Sequence, residues 1–94
     1  MSSSLQRTFT ILNRLGFHLR PASLLARTAG QFDCRVTVRK GDREADGASL
    51  IALMTLEAMS GDQLDVIADG PDADAALDAI EKLFSTKFGE DADG

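Results

Sequence analysis

Tryptophan and tyrosine are absent from the 94 residues, cysteine and histidine occur once each, and proline occurs twice. Each scarcity excludes something. A lone Cys34 can close no intrachain disulfide, so the framework of a small secreted domain is missing and a reducing compartment is expected. One Cys and one His cannot supply the three or four N/S ligands of a structural zinc site, and the sequence suggests neither metal nor cofactor. No run of about 18 apolar residues occurs, and Met1 to Arg7 lack the apolar segment of a secretory signal. The reading is a cytoplasmic protein without membrane insertion. With five Phe as the only aromatics, the core must come mainly from Leu, Ile, Val, Ala and Met.

What is present suits one small domain over 1–94, with an ordered core from about 6 to 89, frayed ends and an acidic tail over 90–94. Hydrophobic residues make up 44% and charged residues 27%, which is ordinary for a folded globular chain. The net charge of −5 is unevenly spread: residues 1–50 hold eight Arg/Lys against four Asp/Glu, whereas residues 51–94 hold two against eleven. The basic half has no cluster of like charges and no aromatic interleaving beyond Phe9, Phe17 and Phe32. That pattern argues against nucleic acid and for an acidic protein partner.

Periodicity gives the order of elements. Thr8 to Leu12 alternates, with Phe9 and Ile11 on one face, and reads as a half-buried strand ending near Asn13. Leu15 to Pro21 reads as a loop into a helix whose apolar positions are Ala22, Leu25, Ala26 and Ala29, with Pro21 in its first turn and Gly30 closing it. Cys34, Val36 and Val38 mark a second strand, Lys40-Gly41-Asp42 a turn, and Arg43 to Asp46 a short charged edge strand. A second helix follows from about Ser49, and Leu64, Val66 and Ala68 mark a further strand, with Ile67 on its outer face. The last helix carries the stripe Ala73, Ala76, Leu77, Ile80, Leu83 and Phe84, with Gly89 as its stop. The order β-α-β-β-α-β-α implies an α+β two-layer sandwich, with three helices on one face of a four-stranded sheet and the other face open.

The segment with chemical content is Leu15-Gly16-Phe17-His18-Leu19-Arg20-Pro21. His18 falls just before a helix N-terminus, where free backbone N–H groups and the positive helix end attract anions, and Arg20 can add a bidentate donor pair. A neutral ring nitrogen at such an anchor can act as a nucleophile toward phosphorus, which suggests phosphoryl transfer. Spacing alone is a weak signal, because a lone His before a helix is more often a solvated loop residue. No general-base partner for His18 is visible nearby in the sequence, which counts against a small hydrolase.

Gly16-Phe17-His18-Leu19-Arg20-Pro21-Ala22 resembles the G-x-H-x-R-P-A signature of the HPr family, the histidine-containing phosphocarriers of the bacterial phosphoenolpyruvate-dependent phosphotransferase system. Gly47-Ala48-Ser49-Leu50-Ile51-Ala52-Leu53-Met54-Thr55-Leu56 resembles that family's second signature, around a regulatory serine. Phe32-Asp33, Gly61-Asp62 and the final helix fall in register, so the likeness covers roughly residues 6 to 89. It implies an open-faced β-sandwich with an antiparallel sheet, His18 phosphorylated through Nδ1, and Arg20 supporting the phosphoryl oxygens. It further implies a monomeric relay rather than a self-contained enzyme, taking the group from Enzyme I and passing it to an EIIA-type acceptor in sugar transport. A regulatory branch, concerned with nitrogen or catabolite control, and a binding module without transfer are the alternatives. Two positions depart from the pattern: Leu19 stands where a small Ala is common, and Ala48 where Lys or Arg often precedes the serine.

Around the second signature, Leu50, Ile51, Leu53, Met54 and Leu56 spread over about 220° of a helical wheel, too broad for one core-facing stripe. Leu53 and Leu56 can face inward. Leu50, Ile51 and Met54 then either wrap a small core or, as the resemblance implies, join Phe17 and Leu19 in a partner-docking patch. Ser49 is open in the same way. Its ordinary role is a helix N-cap, whereas the resemblance makes it a candidate for an HPr kinase/phosphorylase as a third partner.

Overall fold

The computed structural model describes residues 4–90. Ser2, Ser3 and residues 91–94, read above as parts of frayed ends, lie outside them. Four strands, β1 (Ser4–Thr10), β2 (Arg35–Lys40), β3 (Arg43–Asp46) and β4 (Gln63–Asp69), alternate with helices α1 (Leu19–Ala29), α2 (Leu50–Met54) and α3 (Ala73–Ser85). The sheet order is β1-β4-β2-β3, and every neighbouring pair is antiparallel. This is the open-faced α+β sandwich that the pattern and the resemblance imply.

Alternation along the strands sorts the two faces. Phe9 lies opposite Leu64, Val36 opposite Ala68 and Val38 opposite both Val66 and Ala45; all seven are buried against the helices. The opposite face is polar, as where Thr8 donates to Asp65 across the β1–β4 pair at 2.7 Å. Ile67, half-buried, lies on that face between Gln6 and Thr37. Strand β1 starts earlier than alternation alone suggests, pairing with β4 from Ser4 opposite Asp69, and Arg7 reaches Asp74, Asp78 and Glu81 of α3 at 2.9, 2.9 and 3.0 Å, three carboxylates on one helical face. Cys34 lies just before β2, half-buried on the core, and burial, reinforced by Asp72 and Asp33, pushes its thiol pKa up.

The helix boundaries differ from the sequence reading as well. Helix α1 begins at Leu19, which makes His18 its N-cap residue and puts Pro21 third in the first turn, where its missing N–H leaves no hydrogen bond broken. Helix α2 is only five residues long, yet Leu53 and Leu56 are fully buried below it. Helix α3 stops at Ser85 rather than near Gly89, and a 3-10 turn over Lys87–Gly89 follows. Lys87, Phe88 and Gly89 all have positive φ, at 56°, 54° and 76°, so the chain reverses instead of extending the helix.

Burial of Phe88 holds that reversal. Its ring meets Phe84 at 4.9 Å and Phe17 at 6.0 Å, both edge-on. Among the described residues no helix is long and apolar enough to cross a membrane, and no group of three or more His, Cys, Asp or Glu could hold a metal ion. Phe88→Ala should lower stability by about 3–5 kcal/mol, the usual cost of emptying a buried aromatic site. Denaturant unfolding followed by circular dichroism measures it; a loss below about 1 kcal/mol would show that the reversal is held by other contacts.

Candidate functional site

The segment from Asn13 to His18 is a tight turn set against the α2–β4 connection. Gly16 has φ +75°, and a Cβ there would stand 3.0 Å from the Ser60 backbone nitrogen and 3.1 Å from Met59 Cα. Both the angle and the space require glycine. The turn is fastened on two sides: the Phe17 N–H donates to the Ala58 carbonyl at 3.1 Å, and the Gly16 N–H to the Asn13 carbonyl at 3.1 Å. The connection is itself anchored. Lys40 donates to the Glu57 carbonyl at 2.9 Å and pairs with Asp62 at 3.2 Å, while Arg43 meets the Glu57 carboxylate at 2.6 Å. The bond from Arg43 holds the Glu57 carboxyl below its ordinary pKa, and the Met59 N–H, with Lys40, does the same for Asp62.

His18 has extended backbone, φ −88° and ψ −166°, and makes no side-chain capping bond to α1. Its carbonyl accepts from the Ala22 N–H at 3.1 Å and so starts the helix. The imidazole is therefore free of the helix. It lies at an open cleft lined by Leu19, Arg20, Ser23, Leu24 and Arg27. The first-turn N–H groups of Leu19 and Arg20 precede the helical bonding pattern and are available to an anion. The exposed Arg20 makes no hydrogen bond or ion pair among the described residues, and its guanidinium nitrogen lies 3.9 Å from where a Gly89 Cβ would be.

The residue that sequence reasoning missed is Glu90. The sequence reading places it in the acidic tail, yet its carboxylate lies 2.7 Å from His18 Nε2, with its side chain only 12% exposed against 36% for His18. Its second oxygen accepts from Asn13 Nδ2 at 3.0 Å, and the same nitrogen donates to the Gly16 carbonyl at 2.6 Å. Asn13 is fully buried, and since both neighbours of its amide nitrogen are acceptors, the orientation of the amide follows. With Glu90 and His18 separated by 72 positions, no local spacing could have revealed the pair. The only hint in the sequence was Phe88, an apolar residue beyond the helical stripe.

The docking candidates divide. Phe17 is 5% exposed and packs on Phe88, so it belongs to the core and not to an exposed patch, and Leu50 is half-buried against the core. The cause is the turn at Gly16, which directs Phe17 inward while His18 stays outside. Ile51, Leu19 and Met54 are 81%, 60% and 39% exposed, and Leu15 and Met59 beside Gly16 are exposed as well. Ser49 is the N-cap of α2, its Oγ accepting from the Ala52 N–H at 3.2 Å.

The chain is 43% identical over 88 residues to phosphocarrier protein NPr of Shewanella violacea, covering 94% of this chain and 97% of the relative. It is 38% identical over 85 residues to phosphocarrier protein HPr of Treponema pallidum, covering 90% and 97%. The crystal structure of HPr-C-His from Thermoanaerobacter tengcongensis superposes with a TM-score of 0.88 at 32% identity, over 93% of this chain and 98% of that one. A family model described as the PTS HPr component phosphorylation site matches residues 5–86. The chain belongs to the HPr family of phosphocarrier proteins of the phosphotransferase system.

Proposed function

We propose that His18 is the phosphorylated residue, that Nδ1 is the accepting nitrogen, and that the protein relays the group from an Enzyme I-type donor to an EIIA-type acceptor. The observation that carries this reading is the position of His18: N-cap of α1, half-exposed, without a capping bond, beside two free helix N–H groups and an Arg20 guanidinium unpaired among the described residues. Nε2 is engaged by Glu90, so Nδ1 is the nitrogen left to react. Its lone pair forms the N–P bond while the bond from phosphorus to the donor's leaving atom breaks, that electron pair staying with the donor. The helix N-terminus and Arg20 offset the charge on the three phosphoryl oxygens. The cleft is open, so the partner completes the site, as suits a relay.

The identity to the Shewanella NPr supports a second reading, a regulatory phosphocarrier whose acceptor belongs to nitrogen control. Assays of transfer from the phosphorylated protein to a sugar-specific and to a nitrogen-type EIIA discriminate between the two. In either branch, the exposed Leu19, Ile51 and Met54 form the apolar part of the docking face, and Arg20 and Arg27 its cationic part, suited to an acidic partner. Phosphorylation of Ser49 by an HPr kinase/phosphorylase would put about −2 charge beside this face.

With phosphoenolpyruvate and the cognate Enzyme I, the wild type should gain one acid-labile, alkali-stable phosphoryl group, and His18→Ala none. Intact mass before and after acid treatment reads this; an acid-stable label, or label on His18→Ala, would overturn the assignment. Arg20→Ala should keep the acceptor but slow transfer by about 10²–10³-fold, the cost of one lost transition-state donor, and unchanged rates would leave backbone donors as sufficient. Ile51→Asp should weaken binding to both partners with the melting temperature nearly unchanged, since the side chain is exposed. Ser49→Asp should weaken it less, because a carboxylate still caps α2 and carries less charge than phosphate. Titration calorimetry of each variant decides, and normal binding of Ile51→Asp would remove α2 from the docking face.

A further inference from the structure

We infer that Glu90 is the positioning residue of the His18 ring: it fixes the proton on Nε2, leaves the Nδ1 lone pair outward, and balances the positive charge that the ring acquires when Nδ1 is phosphorylated. This deepens the reading of His18 as phosphoryl acceptor and rests on it. A carboxylate has no proton to donate, so across the 2.7 Å contact Nε2 must be the donor. In a neutral imidazole the other nitrogen then holds the lone pair. The contact therefore selects the tautomer that can attack phosphorus through Nδ1.

The carboxylate is built in rather than merely adjacent. Its other oxygen is held at 3.0 Å by the fully buried Asn13, which is itself bonded to the Gly16 carbonyl in the turn that presents His18. Its backbone is delivered by the reversal at Lys87–Gly89, and Phe88 locks that reversal against Phe17, the neighbour of His18. The Glu90 N–H closes the turn on the Lys87 carbonyl at 2.8 Å. Asn13 Oδ1, by contrast, is buried without a hydrogen bond among the described residues. An acceptor left unpaired in this way costs stability, and both Asn13 amide protons are nonetheless committed to the turn and to Glu90.

The electron count gives the charge role. When Nδ1 bonds to phosphorus and the donor departs with its electron pair, the ring keeps its Nε2 proton and becomes a cation, with the Glu90 carboxylate as counter-ion. On transfer to the next nucleophile the P–Nδ1 bond breaks, its electron pair returns to Nδ1, and the ring is neutral again with the same proton on Nε2. No proton has to move in either step. The arrangement parallels the carboxylate that orients the histidine of a hydrolase triad and stabilises its imidazolium.

Two variants separate the parts of this role. His18 is the only histidine, so its two ring nitrogens can be read without ambiguity in a long-range nitrogen–proton spectrum of the whole chain at a pH where the ring is neutral. Glu90→Gln carries no charge and has one acceptor oxygen for the two donors His18 Nε2 and Asn13 Nδ2: the Nε2-protonated pattern should persist only in part while the single-turnover rate at saturating Enzyme I falls about tenfold, the size expected of one charge-assisted hydrogen bond. Glu90→Ala should give a mixed-tautomer pattern and a larger rate loss, with KM for Enzyme I little changed in both and a lower melting temperature in Glu90→Ala, where the buried Asn13 amide loses a partner. Wild-type rates and an unchanged ring spectrum in Glu90→Ala would overturn the inference. So would a rise in KM alone, which would make Glu90 a docking contact. Absence of label on the wild type is failure of the phosphocarrier reading instead, and the ring spectrum, needing no phosphoryl donor, still decides whether Glu90 fixes the tautomer.

Discussion

Four of the five phenylalanines form one contact path from the sheet to the His18 turn, and the geometry of the site depends on it. Phe9 on β1 stacks on Phe84 of α3 at 4.8 Å, Phe84 meets Phe88 edge-on at 4.9 Å, and Phe88 meets Phe17 edge-on at 6.0 Å. Each contact has the offset or edge geometry that aromatic quadrupoles favour. The path joins an edge strand and the turn that follows it to the end of the last helix, far away in sequence. Because Phe17 is locked, its neighbour His18 is presented from a fixed backbone. Because Phe88 is locked, the chain two residues later returns to the same place. The chemistry proposed at His18 thus rests on aromatic packing outside the cleft.

Elements that follow from periodicity were legible in the sequence. The three inward residues of β4, the stripe of α3 and the short charged edge strand β3 all depend on spacing within one segment, and spacing is what a sequence displays. His18 and Arg20 were legible through a seven-residue motif, and the structure brings them to one cleft. Glu90 was not, since acidic residues near a terminus usually mark solvated chain. Nor was the burial of Phe17, whose direction is set by the positive φ of Gly16 and by the carbonyl of Ala58, neither of which leaves a periodic trace. The breadth of the apolar arc on α2 proved a mixture. Leu53 and Leu56 are core, Leu50 is half-buried, and Ile51 remains in solvent, because two residues of helix place it on the side opposite Leu53.

The reversal after α3 shows how such a site can be assembled from a short chain. Had the helix continued to Glu90, that residue would stand about 7 Å further along the α3 axis, at 1.5 Å per residue. Instead Lys87 and Phe88 adopt left-handed backbone, which costs an L-residue about 1–2 kcal/mol each. Full burial of Phe88 contributes about 1.5–3 kcal/mol in return, and Gly89, free of that steric cost, completes the turn. The two terms nearly cancel, so the turn adds little to stability and its consequence is positional. It delivers a carboxylate to Nε2 from the protein side of the ring, while the other side of His18 stays open to a partner. The proposed relay needs both conditions together, since a histidine free to rotate loses its orientation and a histidine enclosed by its own fold cannot meet two different proteins.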